Sequence, residues 1–587
     1  MKKVPFLFLF IAFTLNFSAQ KVDLPNNSFL FDLVKVSEYQ YDIKLELNEI
    51  NFTNINFKNS NFSKIDIPGF FEHHEIGSPA LGQMNQIFEI PLDGNCKIEV
   101  VSKKSKLIDL NTYNLPQLYP HQKSISKGED ATKVLLEYNK KAYGKDKFIK
   151  YDIAALNKVG VLRKHQLARL EICPFEYNPV KNQLIVYYDL DIKVTFLNSS
   201  LEKERLVNNL YNQSEFLPLI NNCINSSFKD AKDFITTYPT TYVIVSDRSF
   251  QQQIQPLVEW KTMKGFKVIE AYTDDPSVGN TTTSIKAYLQ NLYNNPSGGT
   301  PPSYILLVGD IAEIPSFSGL YGTHVSDLYF AEYDGNGDFY ADVYYGRFSS
   351  SDPVQIQNMV NKTIDYEKFS FQDPSFLGDA VMISGVDASM ASTYGNGQIN
   401  YANQYYTNTS NGINSSTYLY PASGSSSSQI LQDINNGCSF ANYTAHGYGQ
   451  GWADPAFTCT DVHSMTNIGK PAMMIGNCCQ SNKFDDPECF GEALLRVDNK
   501  GAIGYIGGSN NTYWNEDYWW AVGAGSISAN PVYDVNTLAF FDRLFHLNGE
   551  PTNEWYTTNS QIMMGGNLAV TQANGADDYY CEIYHLM

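Results

Sequence analysis

The sequence predicts an α/β domain, built on a mainly parallel sheet with helices on both faces and preceded by a mostly β domain. Three observations predict it. Up to about residue 228, strand-like alternation recurs between turns rich in Asn and Ser. From residue 241, short apolar runs alternate with segments of helical period, the grammar of a parallel sheet buried on both faces. Two of the later runs each end in a reactive side chain, and such sheets gather functional groups at the carboxyl ends of strands.

The chain opens on Met1-Lys2-Lys3, continues through an apolar run to Phe17 and reaches Ser18-Ala19-Gln20. A basic start, a short apolar core and a small-residue end read as a secretory signal peptide over residues 1–19. No later run reaches the ~18 apolar residues of a membrane span. The expectation is a bacterial protein that is secreted or held at the cell surface, without a transmembrane segment.

Residues 20–228 read as a β-rich domain, with alternations such as those over 39–47 and 184–196, one helix near 130–143 and no reactive cluster. The polar stretch 221–233, which contains Lys229 and Lys232, reads as an exposed linker. Residues 229–587 form the α/β domain. Strands are expected at 242–246, 267–271, 304–308, 380–384 and 502–506 as well as in the two reactive runs. Helices are expected up to 264 and over 282–293, 353–369 and 490–499.

A length of 587 residues exceeds one ordinary domain. The 62 acidic against 42 basic residues, net charge −20, argue against non-specific nucleic-acid binding. Nine cysteines are too sparse for a disulfide scaffold, and no C-x-x-C repeat suggests zinc.

Of the reactive runs, Ser439-Phe-Ala-Asn-Tyr-Thr-Ala445 leads into His446-Gly447, and Pro471-Ala-Met-Met-Ile-Gly-Asn477 leads into Cys478-Cys479. Alone, the histidine is more often a turn residue and the cysteines buried thiols. At two strand ends of one sheet they fit thiol-nucleophile chemistry, in which an imidazole takes the thiol proton and the thiolate attacks a carbonyl. Gly447 has no side chain, so its N–H can approach an oxyanion, with the nucleophile's own amide as second donor. Alternation sends Cys478 and Cys479 to opposite faces; Cys479, further beyond the run, is taken as the nucleophile. Asp387 follows a strand and can orient His446, although an aspartate there is commonly a turn or cap residue.

Two further clusters stand out. Asp334-Gly-Asn-Gly-Asp338-Phe-Tyr-Ala-Asp342 suits a calcium loop that is not an EF-hand, with Asp310 and Asp327 as additional donors; an acidic surface turn is the equal alternative. The aromatic and acidic run Asn510-Asn-Thr-Tyr-Trp-Asn-Glu-Asp-Tyr-Trp-Trp520 can wall a pocket, with Glu516 or Asp517 selecting a cation. A packed aromatic loop is its plainer reading.

Phe440-Ala-Asn-Tyr-Thr-Ala-His-Gly447, Trp452-Ala-Asp-Pro455, Ile475-Gly-Asn-Cys-Cys479, Cys489-Phe-Gly-Glu492 and Tyr513-Trp-Asn-Glu-Asp517 together resemble the gingipain family of cysteine peptidases, family C25 of the caspase-like clan. The resemblance covers about residue 240 onward and is strongest to the lysine-specific branch. It implies a caspase-like catalytic domain of two subdomains and a prodomain that inhibits until removed. It implies Cys479 as nucleophile, His446 as base, Asp387 as third member and Gly447 as oxyanion amide. Asp517 would bind a substrate lysine at the bottom of the S1 pocket, with Thr444, Asn477, Tyr513 and Trp514 around it. Asp310, Asp334, Asp338 and Asp342 would hold a structural Ca2+. The chain departs from the family at Tyr448-Gly-Gln-Gly451, in a segment one residue shorter between Cys479 and Cys489, and in stopping before the usual immunoglobulin-like and secretion domains. The implied function is a secreted cysteine endopeptidase, made as a zymogen, that cleaves proteins and peptides after lysine through a thioester acyl-enzyme. The alternatives are an arginine-specific peptidase of the same family and a non-catalytic adhesin on a peptidase scaffold.

Overall fold

In a computed structural model the described residues are 20–57, 60–72, 75–226, 238–335 and 337–587. The expected signal peptide, and Lys229 and Lys232, lie outside them.

The N-terminal domain is made of antiparallel sheets. Its central strand, Gln183–Leu197, pairs with the equally long Asn95–Asp109 on one side and with Gln40–Glu46 and Phe175–Asn178 on the other. Leu184, Val186, Leu190, Ile192 and Val194 from that strand are buried, the period-two face the alternation requires.

The expected helix near 130–143 is broken. A single 3-10 turn, Ala131–Lys133, is followed by extended chain and a short helix, Lys140–Tyr143. The Gln122 side chain accepts the Glu137 N–H and donates to the Glu137 carbonyl, holding backbone groups that a continuous helix would pair internally.

The start of the segment read as an exposed linker turns inward, with Asn221, Cys223 and Ser226 buried and the residues between them half-buried. Asn221 and Cys223 are fully buried, and Asn221 Nδ2 donates to the Asn553 carbonyl. Its polar side chains staple the turn to the α/β domain instead of facing water.

Among the described residues the α/β domain carries two large sheets and two small ones. In the first, Lys267–Tyr272, Thr241–Ser246, Pro302–Val308 and Tyr344–Phe348 lie side by side, all parallel. The second runs Asn414–Tyr418, Asp379–Ser384, Phe440–Thr444, Ala472–Asn477, Ala502–Gly508 and Tyr584–Leu586, and only the last strand is antiparallel. Alternate residues feed two cores. Val243, Val245, Ala380, Met382 and Phe440 face one; Ile244, Val381, Ile383, Ala441 and Tyr443 face the other. Both faces are therefore covered, which is why these strands read as continuous apolar runs. The first core also takes in Phe71, Ile87, Leu162 and Phe216 of the N-terminal domain, so the two domains share apolar burial.

The N-terminal domain grips its partner through a hairpin turn as well. Arg163 and Lys164 have φ of 51° and 66°, left-handed values that two-residue hairpin turns usually give to Asn and Gly. Contacts to the α/β domain hold them there. The fully buried Arg163 guanidinium donates to the carbonyls of Pro301, Pro302 and Asp342, and Lys164 Nζ lies 2.5 Å from Asp334.

Candidate active site

Register brings the reactive residues together. Thr444 and Asn477 are paired at the carboxyl ends of parallel neighbours, and His446 and Cys479 each follow two residues later. Ser384 pairs with Thr444 on the other side, and Asp387 follows it. Asp387 Oδ2 lies 2.9 Å from His446 Nε2, while its Oδ1 accepts the Ser389 and Met390 N–H groups, each at 2.8 Å. It is thus both the turn cap and the histidine's partner. Burial opposes its ionisation, but the bond from His446 and the two backbone N–H groups outweigh it and hold the carboxyl below the usual range.

The two cysteines diverge as alternation requires. Cys478 Sγ turns inward to Ser481 Oγ at 3.4 Å. Cys479 Sγ accepts the Thr512 N–H at 3.4 Å, and burial pushes its thiol up to about 11. All nine cysteines are free, so being unpaired does not by itself distinguish Cys479 from the others. Gly447 packs on the doublet: a Cβ there would lie 2.6 Å from Cys478 Sγ and 2.9 Å from the Cys479 carbonyl, room only glycine leaves.

Beside them, Asp517 lies fully buried in the first turn of Trp514–Val522, near the positive end of that helix. Its partner is a residue the sequence reading missed, Lys127 of the N-terminal domain. Lys127 Nζ lies 2.6 Å from Asp517 Oδ2, 3.0 Å from Thr444 Oγ1 and 2.7 Å from the Asn477 carbonyl, with the Trp514 ring 4.7 Å away. Neither charged side chain of the pair is exposed. Three acceptors meet the three ammonium protons.

The main chain follows suit. Lys127 N–H donates to the Thr512 carbonyl, Trp514 N–H donates to the Ile125 carbonyl, and Ser126 bridges Tyr513 in antiparallel register. The segment lies in the cleft with extended main chain, held by these two bonds and a single antiparallel bridge to the loop before Trp514. The Lys127 carbonyl bonds to His446 Nδ1. Locally this segment is only polar, and one lysine among many carries no distinguishing signal.

The expected site residues Cys479, His446, Asp387, Gly447, Asp517, Thr444, Asn477, Tyr513 and Trp514 therefore all border one cleft. Glu516, the other carboxylate weighed for the pocket, turns away. It accepts from Ser124 Oγ and the Ala576 N–H, and burial raises it to about 6.

The expected calcium donors do not converge. Asp310 pairs with Arg496 at 3.1 Å and Asp334 with Lys164, while Asp338 accepts the Val161 and Tyr340 N–H groups. Asp342 is fully buried and accepts from the Arg163 and Tyr333 N–H groups, and Asp327 is held by Arg347. Among the described residues no group of three or more His, Cys, Asp or Glu side chains is arranged to hold a metal ion. In this form the described carboxylates of the 334–342 loop meet the N-terminal hairpin and local turns.

Comparison with known proteins agrees with this layout. Residues 33–229 match the propeptide of peptidase family C25, and residues 235–587 match peptidase family C25 itself. Over 563 residues the chain is 34% identical to Lys-gingipain HG66 of Porphyromonas gingivalis, covering 93% of this chain and 32% of that protein. Gingipain R2 of the same species (strain ATCC BAA-308 / W83) is 24% identical over 504 residues, 82% of this chain and 65% of that one. The chain spans about a third of the length of the Lys-gingipains it matches. A solved structure described as "Structure of Protease" superposes with a TM-score of 0.56 at 36% identity, over 62% of this chain and 80% of its own. The crystal structure of the Arg-specific cysteine proteinase gingipain R, at 21% identity and a TM-score of 0.50 over 60% of this chain and 77% of its own, shows the same fold. With a catalytic-domain match over most of its length and a propeptide match before it, the chain belongs to peptidase family C25.

Proposed function

We propose that this chain is the latent form of a secreted cysteine endopeptidase that cleaves proteins and peptides after lysine, with its own N-terminal domain as inhibitor. One observation carries the reading: a lysine of that domain occupies the buried acidic pocket beside Cys479 and His446, with its backbone laid along the cleft. An ammonium is a compact charge that three oxygens can surround, whereas guanidinium is a planar fork. Secretion rests on the first 19 residues; among the described residues no helix is long and apolar enough to cross a membrane.

In the active form a substrate lysine replaces Lys127. His446 Nδ1 takes the Cys479 proton, with Asp387 holding the opposite nitrogen, and the thiolate attacks the lysine carbonyl carbon. The oxyanion faces the Gly447 and Cys479 amides. His446 then protonates the leaving amine, which departs as a thioester forms. Water, deprotonated by His446, attacks the thioester, releasing the carboxylate and regenerating the thiol. Latency follows from the same groups. The Lys127 carbonyl occupies the nitrogen that would accept the proton, and burial keeps the thiol neutral.

A panel of lysyl and arginyl reporters on the prodomain-free enzyme tests the assignment. Asp517→Asn should lower lysyl kcat/KM by roughly 10²- to 10³-fold, the scale of removing one partner of a buried charge pair. Better cleavage of arginyl than lysyl reporters by the parent enzyme would overturn the lysine reading. A second measurement concerns the cation. Because Lys164 and backbone N–H groups occupy the carboxylates of the 334–342 loop, added Ca2+ or chelator should move the melting temperature of the latent chain by less than about 1 °C.

A further inference from the structure

Asp517 uses its two oxygens differently. Oδ2 faces the Lys127 ammonium, while Oδ1 accepts the Tyr584 hydroxyl at 2.7 Å and lies 3.0 Å from the Tyr580 hydroxyl. Both phenols are fully buried at the carboxyl end of the chain, Tyr580 in the helix Asp577–Ile583 and Tyr584 opening the last strand. Their rings stack 5.4 Å apart, and Trp520 stacks on Tyr584 at 5.2 Å, so neither is free to swing. The Asn477 side-chain amide donates to the Tyr584 oxygen at 3.1 Å, while the Asn477 carbonyl receives the ammonium. Burial, and then the Asp517 charge, push both phenols well above their ordinary range, so they remain protonated donors at any working pH.

We propose that Tyr584, supported by Tyr580, is a positioning residue that sets lysine specificity by tying up Asp517 Oδ1 and presenting Oδ2 alone to the substrate. This rests on the lysyl-peptidase reading above. A guanidinium pairs best with two parallel carboxylate oxygens. With Oδ1 engaged from behind, that fork has no second acceptor, whereas a lysine ammonium needs only one carboxylate oxygen beside Thr444 Oγ1 and the Asn477 carbonyl. Neither phenol touches the reacting carbonyl, so the effect falls on substrate binding and not on the chemical step.

The test is Tyr584→Phe in the processed enzyme, assayed with matched lysyl and arginyl reporters. Lysyl KM should rise roughly 10- to 100-fold, the range for a lost hydrogen bond to a charged group, with kcat within about threefold of the parent. The lysyl-over-arginyl ratio of kcat/KM should fall by roughly tenfold. In an Asp517→Asn background the same substitution should change KM less than about twofold, because the group it positions is gone. Tyr580→Phe, whose oxygen also accepts the Tyr513 N–H, should shift KM and the ratio in the same direction by a smaller factor, and decides the matter if Tyr584→Phe does not fold. An unchanged KM and ratio, or an equal loss with and without Asp517, overturns the inference while leaving the lysyl assignment standing. A parent enzyme inactive on lysyl reporters overturns the assignment and the inference together.

Discussion

Cys479→Ala should reduce lysyl cleavage by the prodomain-free enzyme roughly 10⁴- to 10⁶-fold, whereas Cys478→Ala should keep it within about tenfold of the parent. Both thiols are buried and both follow the same strand, so composition does not separate them. Direction does. Cys479 Sγ lies at the Thr512 N–H, on the loop that receives the Lys127 segment. Cys478 Sγ packs beneath Gly447 against Ser481, where burial raises it to about 12. On the proposed assignment, alanine at 479 removes the nucleophile and leaves no substitute, because the neighbouring sulfur points into the core. Alanine at 478 opens a small void worth about 1 kcal/mol of stability and leaves the reacting atoms in place. Equal losses in the two variants would sink the assignment, as would full activity of Cys479→Ala.

On the proposed function, Lys127→Ala should release the uncleaved chain from latency. Removing one member of a fully buried ion pair costs about 3–5 kcal/mol because the remaining charge stays buried without its partner. That is a weakening of self-inhibition by roughly 10²- to 10³-fold. The readout is labelling of Cys479 by a lysine-directed chloromethyl ketone, located by mass spectrometry. The intact parent should label slowly and Lys127→Ala quickly, while Lys164→Ala, which loosens only the hairpin on Asp334, should have the smaller effect. A pH series adds a signature. With the thiol at about 11 in the latent chain, iodoacetamide alkylation of Cys479 should climb about tenfold per pH unit from neutrality, because the thiolate fraction rises until that pKa is passed. In Lys127→Ala, water enters the cleft, the main cause of the shift is removed and the rise should come at lower pH. Latency unchanged in Lys127→Ala would mean that the shared apolar core and the Arg163 turn hold the prodomain down without the lysine.

The two substitutions probe features of different legibility. The strand ends carrying His446 and Cys479 could be found from local pattern, since Phe440–Thr444 and Ala472–Asn477 are buried on both faces and so read as unbroken apolar runs. Asp387 was visible as a residue after a strand, but its turn-cap and histidine-partner roles could not be told apart because both are real. Lys127 was not visible at all. The segment around it has no period of its own, and its conformation comes from residues 511–514, almost 400 positions away. Tyr580 and Tyr584 were silent for the same reason, as aromatic residues at the end of the chain whose hydroxyls meet Asp517 only after the last strand turns antiparallel.

By itself, then, the sequence determined the α/β grammar, the β-rich domain before it and the strand-end placement of the thiol and imidazole. Each of these depends on side-chain periodicity within a dozen residues, which burial imposes directly. Only the tertiary structure decided which cysteine faces the cleft, that a lysine of the chain fills its own acidic pocket, and that the 334–342 carboxylates serve the N-terminal hairpin. Those outcomes depend on which distant groups are buried together. Charge pairing and backbone register set them across hundreds of residues, and no local pattern records such a choice.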